Sequence, residues 1–341
     1  MRFKLDFIGF GVVGQGLAEI LINKRDWLKE KYDFEYDVLS INDMKLGSVY
    51  DEEGLDLKQI MKTLEKEGDL KGHPKSNDLS PIETIENSDS NTMVEVTYTD
   101  METGGPALDH VRTALKNSKH VVSTNKGPVA NALKELLSLA EENDVHYRFE
   151  GTVLSGTPAI NFAQQTLAGC KISEIKGIVN GTTNYILSQM EDGMEYEDAL
   201  KKAQELGYAE ADPTGDVEGI DAQGKTVILS NTLMDAELEL HDVDREGITG
   251  LTLEEVNQAI EDEYRWKLIA QTKRTDEGVR AKVSPEKLSL DHPLANVMGP
   301  TNALTFSTDH LGDVTIIGPG AGKEETGYSL LVDLLAINSV V

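Results

Sequence analysis

Short apolar runs alternate with longer segments in which apolar positions recur every third or fourth residue. The first run, FKLDFI at 3–8, passes straight into Gly9-Phe10-Gly11-Val12-Val13-Gly14, and behind it Val13, Leu17, Ile20 and Leu21 fall at helical spacing. Residues 36–41 (YDVLSI), 93–98 (MVEVTY), 120–122 and 145–149 read as further strands. Between them lie a helical piece at 57–67 in an otherwise polar stretch 44–90, a helix running to Leu115 from the loop Thr103-Gly104-Gly105-Pro106, and a helix at 130–142 led in by Pro128. Strands alternating with helices predict a parallel sheet covered on both faces. In the second half, 172–179 reads as a strand, and helices follow from Ile186 and at 195–206, the latter closed by Gly207. A largely buried helix carries Val227, Ile228, Leu229, Leu233 and Met234, and segments at 264–271, 280–283 and 314–317 alternate as strands. A last helix covers 325–335. The expectation is an α/β chain with an N-terminal Rossmann-type domain over 1–150, an α+β domain over 151–318, and a C-terminal segment 319–341 returning to the first.

Length and charge narrow the class. A chain of 341 residues accommodates two domains. It has no apolar run long enough to span a bilayer, and its first residues interleave charge with apolar positions, unlike a signal peptide. Cys170 is the single cysteine, which excludes an intrachain disulfide and a cysteine-based zinc site. These features predict a cytoplasmic protein. A formal net charge of −28 argues against nucleic-acid and anionic-membrane partners, and means that an anionic cofactor needs locally built positive sites.

Strand, glycine turn and helix at 3–21 form the context of a dinucleotide fingerprint. Gly9 permits the tight turn, Gly11 lets backbone approach a pyrophosphate, and Gly14 lets helix pack on strand, with phosphates at the helix N-terminus. Asp43, at the end of the second strand, is placed to accept from a ribose 2′-OH; Lys45 nearby offers a contact to a 2′-phosphate instead. NAD and NADP both remain open. Ser123-Thr124-Asn125-Lys126-Gly127-Pro128 follows a strand end, where open α/β sheets bind ligands. EGTVLSGT at 150–157 reads as a small, flexible turn whose carbonyls and one carboxylate suit a hard monovalent cation. The densest cluster is GYAEADPTGDVEGIDAQGK at 207–225. In it Glu210, Asp212, Asp216, Glu218 and Asp221 precede one cation, Lys225, and Asp221 shares a helix face with Lys225 if a helix starts there. Fixed carboxylates beside an ammonium suit an amino-acid substrate and a proton carrier. Walker A, HExxH and GxSxG patterns are absent.

Taken together, GFGVVG at 9–14, STNKGP at 123–128, EGTV at 150–153, NGTTNYIL at 180–187, the acid loop at 207–225 and GPGAG at 318–322 resemble homoserine dehydrogenases along nearly the whole chain. The resemblance implies reversible NAD(P)-dependent oxidation of L-homoserine to L-aspartate 4-semialdehyde, on the route to threonine, methionine and isoleucine. It implies catalytic roles for Lys225 and Lys126, and substrate contacts from Glu210, Asp216, Asp221, Lys126, Gly181 and Thr182. It places the dinucleotide on Gly9, Phe10, Gly11, Val12, Val13, Gly14, Asp43, Thr103, Ser123, Lys126 and Gly322. A structural sodium ion is implied at Glu150 with Val153, Ser155 and Thr157, and a homodimer through the second domain. STNK stands where many members have STANK, which puts the position of Lys126 in question. Neither an ACT module nor an aspartokinase is expected. A different amino-acid dehydrogenase and a non-catalytic NAD-binding regulator are the competing readings, and a substrate panel separates them.

Overall fold

The computed structural model describes residues 1–341 in full. They form two compact units, Met1–Gly156 with Gly322–Val341, and Thr157–Ala321.

The first unit is built on β1 (Arg2–Ile8), whose Phe3, Leu5, Phe7 and Ile8 are completely buried. Each such side chain contributes roughly 1.5–3 kcal/mol by leaving water. There follow α1 (Val12–Tyr32), β2 (Glu35–Asp43), β3 (Gly47–Tyr50), α2 (Leu57–Glu67), β4 (Ser76–Asn77) and α3 (Pro81–Asn87). Next come β5 (Thr92–Glu95), α4 (Gly105–Lys116), β6 (His120–Ser123), α5 (Lys126–Glu142) and β7 (Tyr147–Arg148). The sheet order is β4-β3-β2-β1-β5-β6-β7, parallel from β2 to β7 with an antiparallel edge of β3 and β4. That edge and α3 lie in the polar stretch for which the hydrophobic pattern gives only helical pieces such as 57–67; they are short, and only α3 carries a local signal, the Ser80/Glu83 capping box with Pro81. Two further expectations are corrected. The helix placed at 130–142 begins at Lys126, because Asn125 caps it and Ala132 (φ −147°) interrupts it, so that the regular spacing starts later. The segment 150–157 is the expected turn, but a packed one: Glu150–Thr152 form a 3₁₀ turn, and Val153, Leu154 and Ser155 are buried.

In the second unit the elements are β8 (Ile172–Ile178), α6 (Gly181–Glu191), α7 (Tyr196–Glu205), α8 (Thr214–Val217), α9 (Ile220–Leu233), β9 (Val243–Arg245) and α10 (Leu253–Glu261). The long hairpin β10 (Tyr264–Thr275) and β11 (Gly278–Ser289) precedes the hairpin β12 (Thr301–Thr308) and β13 (Gly312–Pro319). The sheet order β13-β12-β8-β10-β11-β9 is antiparallel except for β9 on β11. Ile178, Ile269, Leu288, Leu294, Ala295, Val297 and Ala303 form a core cluster on this sheet. α6 starts at Gly181, five residues before the expected Ile186, because Asn180 accepts from the Thr183 N–H and caps it.

The last helix, α11 (Lys323–Asn338), belongs to the first unit. Leu330, Leu331, Leu334 and Ile337 join the core of Phe3, Leu17 and Leu28. No helix is long and apolar enough to cross a membrane.

Candidate active site

The glycine turn after β1 uses its glycines for different reasons. Gly9 (φ +89°) donates its N–H to Asn42 O at 2.8 Å, and a Cβ there would stand 2.6 Å from Val96 O. A Cβ on Gly14 would meet Gly9 O at 3.1 Å and Val96 Cγ2 at 3.4 Å. At Gly11 a Cβ would meet nothing within 4 Å, and no side chain caps the helix behind it. Beside it Val12 is 66% exposed, while Phe10 is buried edge-on to Phe7 and Val13 is half-buried. An open glycine at an uncapped helix N-terminus fits the phosphates of a dinucleotide.

Asp43 fastens this turn to the tip of the β2–β3 hairpin. Its Oδ2 accepts from Phe10 N at 2.8 Å, and its Oδ1 accepts from Lys45 N at 2.8 Å and Leu46 N at 2.9 Å. The carboxylate expected to read a ribose is thus first a structural clamp, with acceptor capacity left on Oδ2. Lys45 is exposed at the same tip. Thr103 and Ser123 are likewise committed to backbone geometry. Thr103 Oγ1 donates to Asp100 Oδ2 at 2.6 Å and accepts from Gly105 N. Ser123 Oγ, fully buried, donates to Glu95 O at 3.0 Å and accepts from Asn125 N at 3.0 Å. Gly322 (φ +137°) precedes α11.

Lys126 is the first residue of α5 and is half-buried. Its place depends on Asn125 before it and on the loop that Asn125 reaches. Asn125 Oδ1 accepts from Gly127 N at 3.1 Å, while its Nδ2 donates to Tyr98 O at 2.9 Å. The Thr97–Tyr98 loop is held in turn by buried Glu95, whose Oε1 accepts from Thr97 N at 2.8 Å and whose Oε2 lies 2.8 Å from His110 Nδ1. A carboxylate inside the apolar run MVEVTY was the available signal.

In the second unit the acid loop and the start of α6 converge. Lys225 is 8% exposed; its Nζ lies 2.7 Å from Asp221 Oδ2 and donates to Val179 O at 2.7 Å. Asn180 Nδ2 donates to Asp216 Oδ1 at 2.7 Å and to Asp221 Oδ2 at 3.1 Å, while its Oδ1 caps α6 at Thr183. One amide therefore links both carboxylates to the helix. Burial raises the Asp216 carboxyl above its ordinary range; the Asn180 hydrogen bond and Lys225 oppose this, and the Asp221 charge adds to it. Thr182 Oγ1 donates to Tyr208 O at 2.6 Å, tying α6 to the start of the loop. Asp212 Oδ1 accepts from Thr214 N and shapes the turn into α8. Glu210 is exposed, outside the Asp216–Asp221–Lys225 cluster of hydrogen bonds. Asn180 is the residue the sequence reading missed as a site member, although an Asn before a helical run is a capping signal.

Among the expected cation ligands, Glu150, Val153 and Ser155 are buried in the first unit, and Ser155 adopts φ 54°; Thr157 opens the second unit. No group of three or more His, Cys, Asp or Glu residues is arranged for a metal. A single carboxylate with backbone oxygens is a hard donor set, which suits an alkali cation and not zinc.

A glycine turn open to phosphates on a mostly parallel sheet, and an ion-paired lysine buried in an α+β unit, fit a nicotinamide-dinucleotide-dependent oxidoreductase. Residues 9–150 match the family model for the homoserine dehydrogenase NAD binding domain, and residues 158–335 match the homoserine dehydrogenase model. An NAD(+)-dependent homoserine dehydrogenase of Pseudomonas canavaninivorans is 42% identical over 99% of this chain and 96% of its own length. The homoserine dehydrogenase of Methanocaldococcus jannaschii is 44% identical over 97% of each chain. A crystal structure from Archaeoglobus fulgidus reported as a homoserine dehydrogenase superposes with a TM-score of 0.90 at 40% identity, covering 98% of this chain and 99% of the other. A hyperthermophilic archaeal homoserine dehydrogenase in complex with NADPH superposes with a TM-score of 0.86 at 32% identity, covering 100% of this chain and 99% of that one. The chain belongs to the homoserine dehydrogenase family, as an NAD(P)-dependent enzyme that interconverts L-homoserine and L-aspartate 4-semialdehyde.

Proposed function

We propose that Lys225 is the proton carrier for this reaction and that the acid loop holds the amino-acid substrate beside it. The observation that carries the reading is the arrangement in which Lys225 Nζ lies 2.7 Å from Asp221 Oδ2 while Asn180 bridges Asp221 and Asp216. The bound dinucleotide supplies the hydride acceptor. In the oxidation Lys225 enters as the free amine, takes up the proton that the substrate hydroxyl releases and becomes the ammonium, which gives that proton back in the reverse direction, a role worth roughly 10²–10⁴-fold in rate. Asp221 orients the ammonium, and Asp216 and Asp221 offer acceptors to the substrate's α-ammonium, with Glu210 closing over it from the exposed part of the loop. Gly181 and Thr182 contribute N–H groups from the start of α6. Lys126 binds oxygens of substrate and cofactor from the start of α5. Gly9, Phe10, Gly11, Val12, Val13 and Gly14, with Asp43, Thr103, Ser123 and Gly322, bind the dinucleotide, which is NAD or NADP.

The same reading includes a sodium ion at Glu150, Val153, Ser155 and Thr157, a cytoplasmic location and a homodimer built through the second unit. Edge strand β13, with Ile317 57% exposed, suits burial against a second copy. Following NADH or NADPH absorbance with L-homoserine, at low and high salt, tests the reaction. Full activity in Lys225→Ala would sink the proton role, and a monomeric sedimentation mass would sink the dimer.

A further inference from the structure

The acid loop supplies acceptors, but an α-amino acid also carries a carboxylate, which needs donors. The N-terminus of α6 is a source of donors within the same unit. Asn180 caps it through Thr183, leaving the N–H groups of Gly181 and Thr182, the first two residues, without helical partners. A second, independent feature lies against this helix end. Asn302 on β12 is 0% exposed, and neither its Oδ1 nor its Nδ2 has a hydrogen-bond partner.

Its amide is enclosed by two glycines. Asn302 Oδ1 lies 3.3 Å from where a Cβ on Gly181 would stand, and a Cβ on Gly320 would overlap the amide itself. The strand leading into Asn302 is firmly anchored: Asn184 Nδ2 donates to Gly299 O at 2.9 Å and to Thr301 O at 3.1 Å, and Lys267 Nζ donates to Asn184 Oδ1 at 3.0 Å. The amide is therefore held in place while its own polar atoms go unpaired. Buried polar groups are nearly always hydrogen-bonded, so one amide lacking partners on both atoms points to a partner absent from the ligand-free chain.

That partner must donate and accept together. A carboxylate alone leaves Oδ1 unpaired, and an ammonium alone leaves Nδ2 unpaired. The head of an amino-acid zwitterion satisfies both. We propose that Asn302 is a substrate-binding residue: its Nδ2 donates to the α-carboxylate, its Oδ1 accepts from the α-ammonium, and the Gly181 and Thr182 N–H groups complete the carboxylate site. Gly320, the first residue after β13, covers the amide, and admitting the head requires Gly320 to move aside. The assignment rests on the homoserine dehydrogenase reading and deepens its substrate site.

The test is steady-state kinetics of Asn302→Leu and Asn302→Ala with L-homoserine and with each dinucleotide, alongside thermal unfolding without ligand. The homoserine KM rises about ten-fold or more, as expected for lost hydrogen bonds to a charged head, while the dinucleotide KM stays put. Asn302→Leu unfolds at or above the wild-type temperature, because it removes unpaired groups from the interior. An unchanged homoserine KM, an equal rise in both KM values, or a fall of several degrees in Asn302→Leu overturns the assignment while leaving the reaction intact. Wild-type enzyme that does not oxidise homoserine overturns the reading of the reaction, and this assignment with it.

Discussion

Lys225 Nζ lies 2.7 Å from Asp221 Oδ2, one helical turn earlier on α9, and within hydrogen-bonding reach of Val179 O. A lysine Nζ held by one carboxylate and one carbonyl keeps a fixed direction. Lys225→Met, which keeps the stem and removes the charge, is expected to lower kcat by about 10²–10⁴-fold. Dinucleotide affinity, read by quenching or enhancement of nicotinamide fluorescence, stays within about two-fold of wild type, since the glycine turn is untouched. A kcat within a factor of three of wild type would remove Lys225 from the proton path.

Asn180 does two jobs that substitution separates. Asn180→Ala loses the α6 cap, costing about 0.5–2 kcal/mol, and leaves Asp216 and Asp221 without their shared donor. Asn180→Ser restores a capping oxygen but no amide. Unfolding temperatures should therefore order as wild type, then Ser, then Ala. The value of kcat/KM for homoserine should fall about ten-fold or more in both variants, because hydrogen bonds to charged groups are the strong ones. Recovery of kcat/KM in Asn180→Ser would show that the cap alone matters.

What was legible in the sequence depended on whether the signal was local. The glycine turn at 9–14 could be read because strand period, turn residues and helix period follow one another without a gap. The Asp221–Lys225 pair could be read from its four-residue spacing. Asn302 could not: its neighbours Gly181 and Gly320 come from opposite ends of the second unit, and its strand β12 follows a stretch, 291–299, rich in turn formers. The Glu95–His110 contact and the Asp43 clamp were hidden for the same reason, since a carboxylate at a strand end says nothing of which N–H groups will reach it. The start of α5 was masked by the irregular backbone at Ala132.

The Asp43 clamp predicts that its loss harms both cofactors alike. Asp43→Ala removes the acceptor for Phe10, Lys45 and Leu46 N–H groups, loosening both the phosphate turn and the hairpin tip. At about 1 kcal/mol or more per charge-assisted bond, NADH and NADPH should each bind about ten-fold more weakly. Lys45→Ala, at the exposed tip, should weaken NADPH more than NADH. Titration of each protein with each reduced dinucleotide checks both; a loss confined to NADH in Asp43→Ala would instead make ribose reading its main role.

Lys267 gives the second unit a pH signature. It is completely buried, donating to Asn184 Oδ1 at 3.0 Å and Val297 O at 2.8 Å, and burial lowers its pKa to about 8 against the pull of Glu191. The unfolded chain holds this proton up to about 10.4. Between those values the unfolded state binds more protons than the folded one, so stability rises with pH across the window. The gain is at most about 3 kcal/mol, since one pKa unit is 1.36 kcal/mol. Lys267→Met should flatten that rise. Urea unfolding of both proteins at pH 7.5, 8.5 and 9.5 gives the test as a difference, in which the other titrating groups cancel. If the wild-type-minus-variant stability does not climb with pH, Lys267 stays charged in the folded chain throughout, and its ammonium, not the neutral amine, is the form that holds Asn184.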